Sequence, residues 1–323
     1  MVETIRLGKT GVQVPRVALG TWGHGGPKLV GKHPVGWSGY DRQAARNALL
    51  LAFERGLTHW DTADVYGDGR AERSIGALWS QVPRDRVFLA SKVGWEAGGY
   101  KHYYHPEQVR KQLELSLTNL RSDYIDLYYL HHCDFGPADE HLDATIDLLH
   151  EFREEGKIRF IGLSDWKSEK VARYAPVVHP DVVQPYRNVV DDSWERSGLK
   201  DWVESDEAGV AFFSPLKHGL LLGRYQEPPA LGVGDHRNRV PGFKDPDQLK
   251  HFRDCRAAIE ERFSSLPHPV LSCLVGALLT DAPTGCVLVG LRQPRHVEAA
   301  ALVGSPLSEE DAAWVRKLYR GEI

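Results

Sequence analysis

Gly20-Thr21-Trp22-Gly23-His24-Gly25-Gly26 follows the first apolar run of the chain, Val14–Leu19, and its spacing separates two possible folds. An open, doubly wound parallel sheet that binds a dinucleotide wants Gly-x-Gly-x-x-Gly in this turn, leading straight into a helix. The glycines here do not have that spacing, and the chain runs on into a loop. Outward from this turn, strand-like runs alternate with helix-like segments along the whole chain. The runs are Val14–Leu19, Leu57–Asp61, Val87–Ser91, Ile125–Leu130, Phe160–Gly162, Val182–Gln184, Val210–Phe213 and Cys286–Val289. Helical patterning falls at Asp41–Arg55, Ala71–Trp79, Pro106–Leu120, Leu142–Glu154, Glu169–Tyr174, Ser193–Glu207 and Asp247–Ser264. It is clearest in Pro106–Leu120, where Val109, Leu113, Leu117 and Leu120 share a face and Pro106 suits the first turn. Eight strands joined in this way predict a parallel sheet closed into a (β/α)8 TIM barrel.

Length alone admits one large barrel or two domains, but the uninterrupted alternation reads as one domain over residues 1–323. Two stretches stand outside it. Thr4–Leu7 and Val12–Val14 flank Gly8-Lys9-Thr10-Gly11, an N-terminal β-hairpin placed to plug the bottom of the barrel. Lys217–Pro246 is rich in Gly, Pro and charge without a period, and a loop of that length is functional or disordered. With the loops after the early strands, it predicts long segments at the C-terminal face.

Bulk composition narrows the class of protein. A hydrophobic content of 42% and a charged content of 26% supply a globular core, and the formal charge of −4 offers nucleic acid no basic surface. The N-terminus lacks an apolar signal core, and the longest largely apolar run, Val270–Leu279, falls short of the ~20 residues that span a bilayer. Cys133, Cys255, Cys273 and Cys286 are far apart and read as free thiols, which points to the cytoplasm. Oligomeric state is not written in the chain.

In a parallel barrel the C-terminal strand ends carry the active site. Asp61, Lys92 and His131 end the second, third and fourth strands, and Tyr66 lies just past the second in Asp61-Thr62-Ala63-Asp64-Val65-Tyr66-Gly67. A phenol with a pKa of about 10 can donate a proton to a forming alkoxide. An ammonium at Lys92 is expected to lower that pKa, with Asp61 holding Lys92 charged. His131 suits a hydrogen bond that orients a carbonyl. Each residue also has an ordinary structural role open to it: helix cap, loop aromatic, surface charge, barrel hydrogen bond. Four on one rim point to proton transfer at a carbonyl. A metal-dependent hydrolase built on Asp61, His131 and His132 is the rival, against which stands the missing His-x-His pair at the first strand end. His102, Tyr103, Tyr104 and His105 scatter on a loop, so no metal site is expected there.

These motifs, with Leu19-Gly20-Thr21-Trp22, Ile161-Gly162-Leu163-Ser164 and Val289-Gly290-Leu291-Arg292, resemble the aldo-keto reductase superfamily over nearly the whole chain. The resemblance implies that Asp61, Tyr66, Lys92 and His131 form the catalytic set, with Tyr66 as the acid. It selects His131 over His132 because the family's histidine directly follows the apolar strand. It also implies an NAD(P)H-dependent oxidoreductase moving a hydride between nicotinamide C4 and an aldehyde, ketone, sugar or alcohol. A regulatory subunit of the same fold with little turnover is the alternative.

The resemblance further implies the cofactor site. Gly20, Thr21 and Trp22 line it, and Ser164 and Gln184 hold the carboxamide. Asp165 replaces the family's asparagine, and Phe213 replaces a stacked tyrosine while keeping its face. Ser214, Pro215, Leu216 and Gly223 belong to the segment over the pyrophosphate, with Lys217 or Arg224 adding charge. Gly290 and Arg292, with Arg295 and His296 nearby, match the region that meets a 2′-phosphate, which favours NADP while leaving NAD possible. Ala299 and Ala300 stand where the family's adenine-gripping Glu-Asn pair is usual. Trp22, Trp37 and the aromatics of Trp95–Tyr104 bring hydrophobic walls for a small-molecule substrate that the sequence does not name.

Overall fold

The computed structural model describes residues 2–282 and 284–323. Eight parallel strands close into a barrel: β1 (Val17–Gly20), β2 (His59–Asp61), β3 (Phe88–Val93), β4 (Ile125–Leu130), β5 (Ile158–Asp165), β6 (Val182–Pro185), β7 (Gly209–Phe212) and β8 (Gly285–Gly290). They follow chain order around the wall, with β8 pairing β1. Strands buried on both faces read as continuous apolar runs rather than alternating ones, as in β3 and β4, where every residue is buried.

Alternation nevertheless governs which way each side chain points. Leu127 and Tyr129 of β4 enter a cluster inside the barrel, while Tyr128 and Leu130 pack outward under the helices. Phe88 and Ala90 of β3, Val182 of β6, Ala211 of β7 and Leu288 of β8 join the inner cluster; Leu89, Val183, Phe212 and Val289 join the outer one.

The hairpin Thr4–Arg6/Gln13–Pro15 does plug the N-terminal end. Leu7 and Val14 are buried against Phe88 and Val182 in the inner cluster. Gly8 has φ 46, and a Cβ there would stand 2.2 Å from the Gly209 amide nitrogen, so only glycine admits this approach.

Several boundaries differ from expectation: β3 runs on to Val93, so Lys92 lies within the strand rather than at its end, and β7 stops at Phe212. The run Val14–Leu19 is two strands, because Pro15 and the bend at Arg16 end the hairpin before β1 begins. The helix expected over Ser193–Glu207 is broken into Ser193–Arg196 and Leu199–Asp206 at Gly198, whose φ is 76. β5 extends to Asp165, so Ser164 and Asp165 lie within the strand. The apolar run at Val270–Leu279 is a helix, Pro269–Leu279, and no helix among the described residues is long and apolar enough to cross a membrane. Lys217–Pro246 is built from three short 3-10 turns, Lys217–Leu222, His236–Arg239 and Pro241–Lys244.

Candidate active site

Carried to the strand ends, the two-residue period puts Gly20, Asp61, Lys92, Ser164, Gln184 and Gly290 on the parity that faces the barrel interior. Phe213, one residue past β7, falls on the same parity. The polar members meet. Lys92 Nζ donates to Asp61 Oδ1 at 2.5 Å and to the Thr62 carbonyl at 2.7 Å, and it lies 3.5 Å from the Tyr66 hydroxyl. Gln184 Nε2 donates to the other Asp61 oxygen at 2.9 Å. Asp61 and Lys92 are 3% and 1% exposed, so this ion pair is compensated by its own network rather than by water.

Parity also separates the two adjacent histidines. His131 continues the inward set of Leu127 and Tyr129, and its ring stands edge-on to Tyr66 with centroids 5.9 Å apart. His132 falls on the outward parity, where its Nε2 pairs with the Gly94 carbonyl and its ring lies 4.3 Å from Trp95. The His131 Nδ1 is buried without a partner. Burial first, then Lys92 and His132, holds the His131 pKa well below the ordinary histidine range, so the ring is neutral near pH 7.

Tyr66 behaves differently from expectation. Its pKa is raised well above that of a free phenol, first by burial and then by the Asp61 and Asp64 charges. Burial and these two carboxylates outweigh the Lys92 ammonium 3.5 Å away. Burial lowers the pKa of Lys92 itself, opposed by Asp61. Tyr66 therefore rests as a neutral phenol, the form able to give a proton.

The expected cofactor residues divide into two groups. Several have work within the chain. Thr21 is fully buried, and its hydroxyl donates to the Asp61 carbonyl at 2.9 Å. Ser164 Oγ donates to the Gln184 carbonyl at 2.8 Å. Asp165, on the outward parity, accepts from the Cys133 amide at 2.8 Å and the Lys167 amide at 2.9 Å, so its carboxylate tethers the loops after β4 and β5. Gly223 has φ 59 and packs on the Phe252 carbonyl, where a Cβ would stand 2.2 Å away. Pro215 is buried and Leu216 partly so, within the turn that follows Ser214.

The rest remain available. Phe213 is partly exposed, edge-on to Trp166 at 4.9 Å. Ser214 takes φ 62, and its buried Oγ has no partner. His296 has a buried, unpartnered Nδ1, and burial with the charges of Arg295, Arg292 and Arg224 lowers its pKa to about 4. Nothing lies within 4 Å of where a Gly290 Cβ would be. Orphaned polar atoms, three cations and open backbone at one edge of the rim fit an anionic dinucleotide. Arg292 itself donates to the Ser38 carbonyl at 2.7 Å.

Sequence reasoning missed how the rim is roofed. The loop after β1 and the loop after β7 are tied at Asp235, which is fully buried. Its carboxylate accepts from the Ser38 amide and hydroxyl at 2.9 and 2.6 Å, and Arg237 Nε and Nη2 at 2.9 and 2.7 Å. Trp22 stacks on Tyr66 at 6.2 Å and is ringed by Trp37, Trp166, His218 and His236. The Asp-His-Arg run at 235–237 was a weak signal; its partner Ser38 lies 197 residues away. Among the described residues, no group of three or more His, Cys, Asp or Glu is arranged to hold a metal.

Known proteins match this arrangement along its length. Residues 16–320 match the profile of the Aldo/keto reductase family. The chain is 28% identical to the NADH-specific methylglyoxal reductase of Escherichia coli, over 98% of each chain. A glycerol dehydrogenase of Gluconobacter oxydans superposes with a TM-score of 0.80 at 27% identity, covering 98% of this chain and 94% of its own. An aldo/keto reductase of Klebsiella pneumoniae, solved with NADP and acetate, gives 0.69 at 26% identity over 99% and 96%. With the family profile spanning barrel and rim alike, the chain belongs to the aldo/keto reductase family and is an oxidoreductase.

Proposed function

We propose that the protein interconverts a small carbonyl compound and its alcohol, with Tyr66 as general acid in reduction and general base in oxidation. The observation that carries this reading is the chain of contacts Tyr66–Lys92–Asp61, with the hydroxyl 3.5 Å from the ammonium and the ammonium 2.5 Å from the carboxylate. Tyr66 gives its proton to the oxygen of the reacting carbon, and Lys92 stabilises the phenolate left behind. Asp61 keeps Lys92 charged and fixed. His131, neutral and facing Tyr66, donates from its ring to the carbonyl oxygen and sets its angle.

A nicotinamide dinucleotide, when bound, supplies or takes the hydride. Ser214, His296 and the neighbouring arginines are the residues suited to its phosphates, and Phe213 offers a ring face. NADP is favoured by the three cations about His296, with NAD possible; relatives named for NADH and for NADP support either. Relatives named for methylglyoxal and glycerol support a short substrate. We place this activity in the cytoplasm, where the four buried free thiols would persist.

The test is turnover of a panel of aldehydes and ketones with NADPH and NADH, in the native chain and in Tyr66→Phe. Loss of a positioned general acid predicts a fall in kcat of about 10²–10⁴-fold, with cofactor affinity retained in fluorescence titration. Near-normal kcat in Tyr66→Phe would remove Tyr66 from the chemistry.

A further inference from the structure

From the end of β7 into the 3-10 turn that follows, three non-glycine residues sit at positive φ: Ser214 at 62, Lys217 at 45 and His218 at 63. Such backbone persists where surrounding packing imposes it, and it gathers at functional sites. Its product here is the placement of one ring. His218 lies 4.9 Å from His236, 5.9 Å from Trp22, 5.9 Å from Trp37 and 6.1 Å from Trp166, centroid to centroid. Trp22 stacks on Tyr66, so the two imidazoles and the phenol border the same indole. The tie between Asp235 and Ser38 holds His236 in place from the other loop.

The chemistry of this roof is specific. Burial, with His236 and Arg237 next, lowers the His218 pKa to about 3, and burial likewise takes His236 to about 4. Both rings are therefore neutral near pH 7, each with one donor and one acceptor nitrogen. The His236 Nδ1 and the Trp37 Nε1 are buried without partners. Arg237, whose charge acts on His218, is paired with Asp235. The rings themselves offer faces for C–H groups and neutral donors and acceptors for hydroxyls, and no charge for a phosphate.

Resting on the reading of Tyr66 as proton donor, we propose that His218 and His236 read hydroxyl groups beside the reacting carbon, making a small neutral hydroxyaldehyde or hydroxyketone the preferred carbonyl substrate. A site that hydrogen-bonds a substrate hydroxyl discriminates against the analogue lacking it, since its own polar groups are then left unpaired.

The experiment compares kcat/KM for glyceraldehyde, propionaldehyde and glyceraldehyde 3-phosphate, using the full chain and its tighter cofactor. Glyceraldehyde should exceed propionaldehyde by about tenfold or more, the value of one good hydrogen bond. His218→Phe and His236→Phe should each collapse that ratio. His218→Asn, which tolerates positive φ and supplies an amide donor and acceptor in place of the ring, should retain part of it. Equal ratios in the native chain and His218→Phe would overturn the proposal, as would preference for the phosphorylated sugar. So would a His218→Phe effect confined to cofactor affinity in fluorescence titration. Turnover of propionaldehyde without hydroxyl preference defeats the roof alone; no turnover of any carbonyl defeats the underlying reading with it.

Discussion

The two ends of the barrel are made by the same eight strands under the same alternation, yet they hold opposite kinds of residue. At the N-terminal end the interior parity carries Phe88, Val182 and Leu127, closed by Leu7 and Val14 of the hairpin. At the C-terminal end it carries Asp61, Lys92, Ser164 and Gln184, tied by hydrogen bonds and flanked by polar atoms with no partner. A few residues along one strand separate a packed hydrophobic plug from a network of buried charge. Stability is therefore concentrated at one end and reactivity at the other, as barrels of this architecture divide them.

That division can be broken from either side. Lys92→Met should have the largest effect, because it strips Asp61 of its counter-charge and Tyr66 of its support together. Turnover should vanish, and stability in urea should fall by about 3–5 kcal/mol. If Lys92→Met keeps its kcat, the buried pair is architectural only. Leu7→Ala, at the plug, should cost about 2–5 kcal/mol in the same measurement, with kcat unchanged below its melting range. A matching loss of kcat would mean the ends are not independent.

The smallest effect concerns acid. His59, at the start of β2, and His24, in the loop after β1, are both fully buried, with pKa values lowered by burial to about 3 and about 4. Above the unfolded value of about 6.5 each is neutral in both states and contributes nothing. As pH falls below that value, the unfolded chain takes up protons that the folded one refuses, so stability declines until the folded pKa is reached. By pH 5 the loss is about 2 kcal/mol for each ring. Urea unfolding at pH 7 and pH 5 should show a drop smaller by about that amount in His59→Gln; an unchanged drop would mean His59 titrates as if exposed.

Most of the barrel was legible because its signals are local. Apolar runs with helical segments between them mark strands wherever both faces are buried, and the rim residues follow from where each run stops. The period of two carries the choice of His131 over His132 and the outward turn of Asp165 once one residue of each strand is placed, Leu127 and Tyr129 facing in on β4 and Ile161 and Leu163 facing out on β5. What escaped was set by distance in space. The bond from Ser38 to Asp235 joins loops 197 residues apart, and neither loop has a period. The pKa of Tyr66 escaped for a related reason. A sequence shows that Lys92 is near but not that burial outweighs it, so the expected lowering became a rise.

The bond from Gln184 to Asp61 has a mechanical meaning. Around the closed wall, β6 and β2 stand half a circumference apart, so this contact is a strut across the diameter of the mouth. It fixes the aperture, keeping the cross-section from flattening toward an ellipse. A disturbance in the sixth strand therefore reaches the second by the chord, without travelling round the arc through the three strands between.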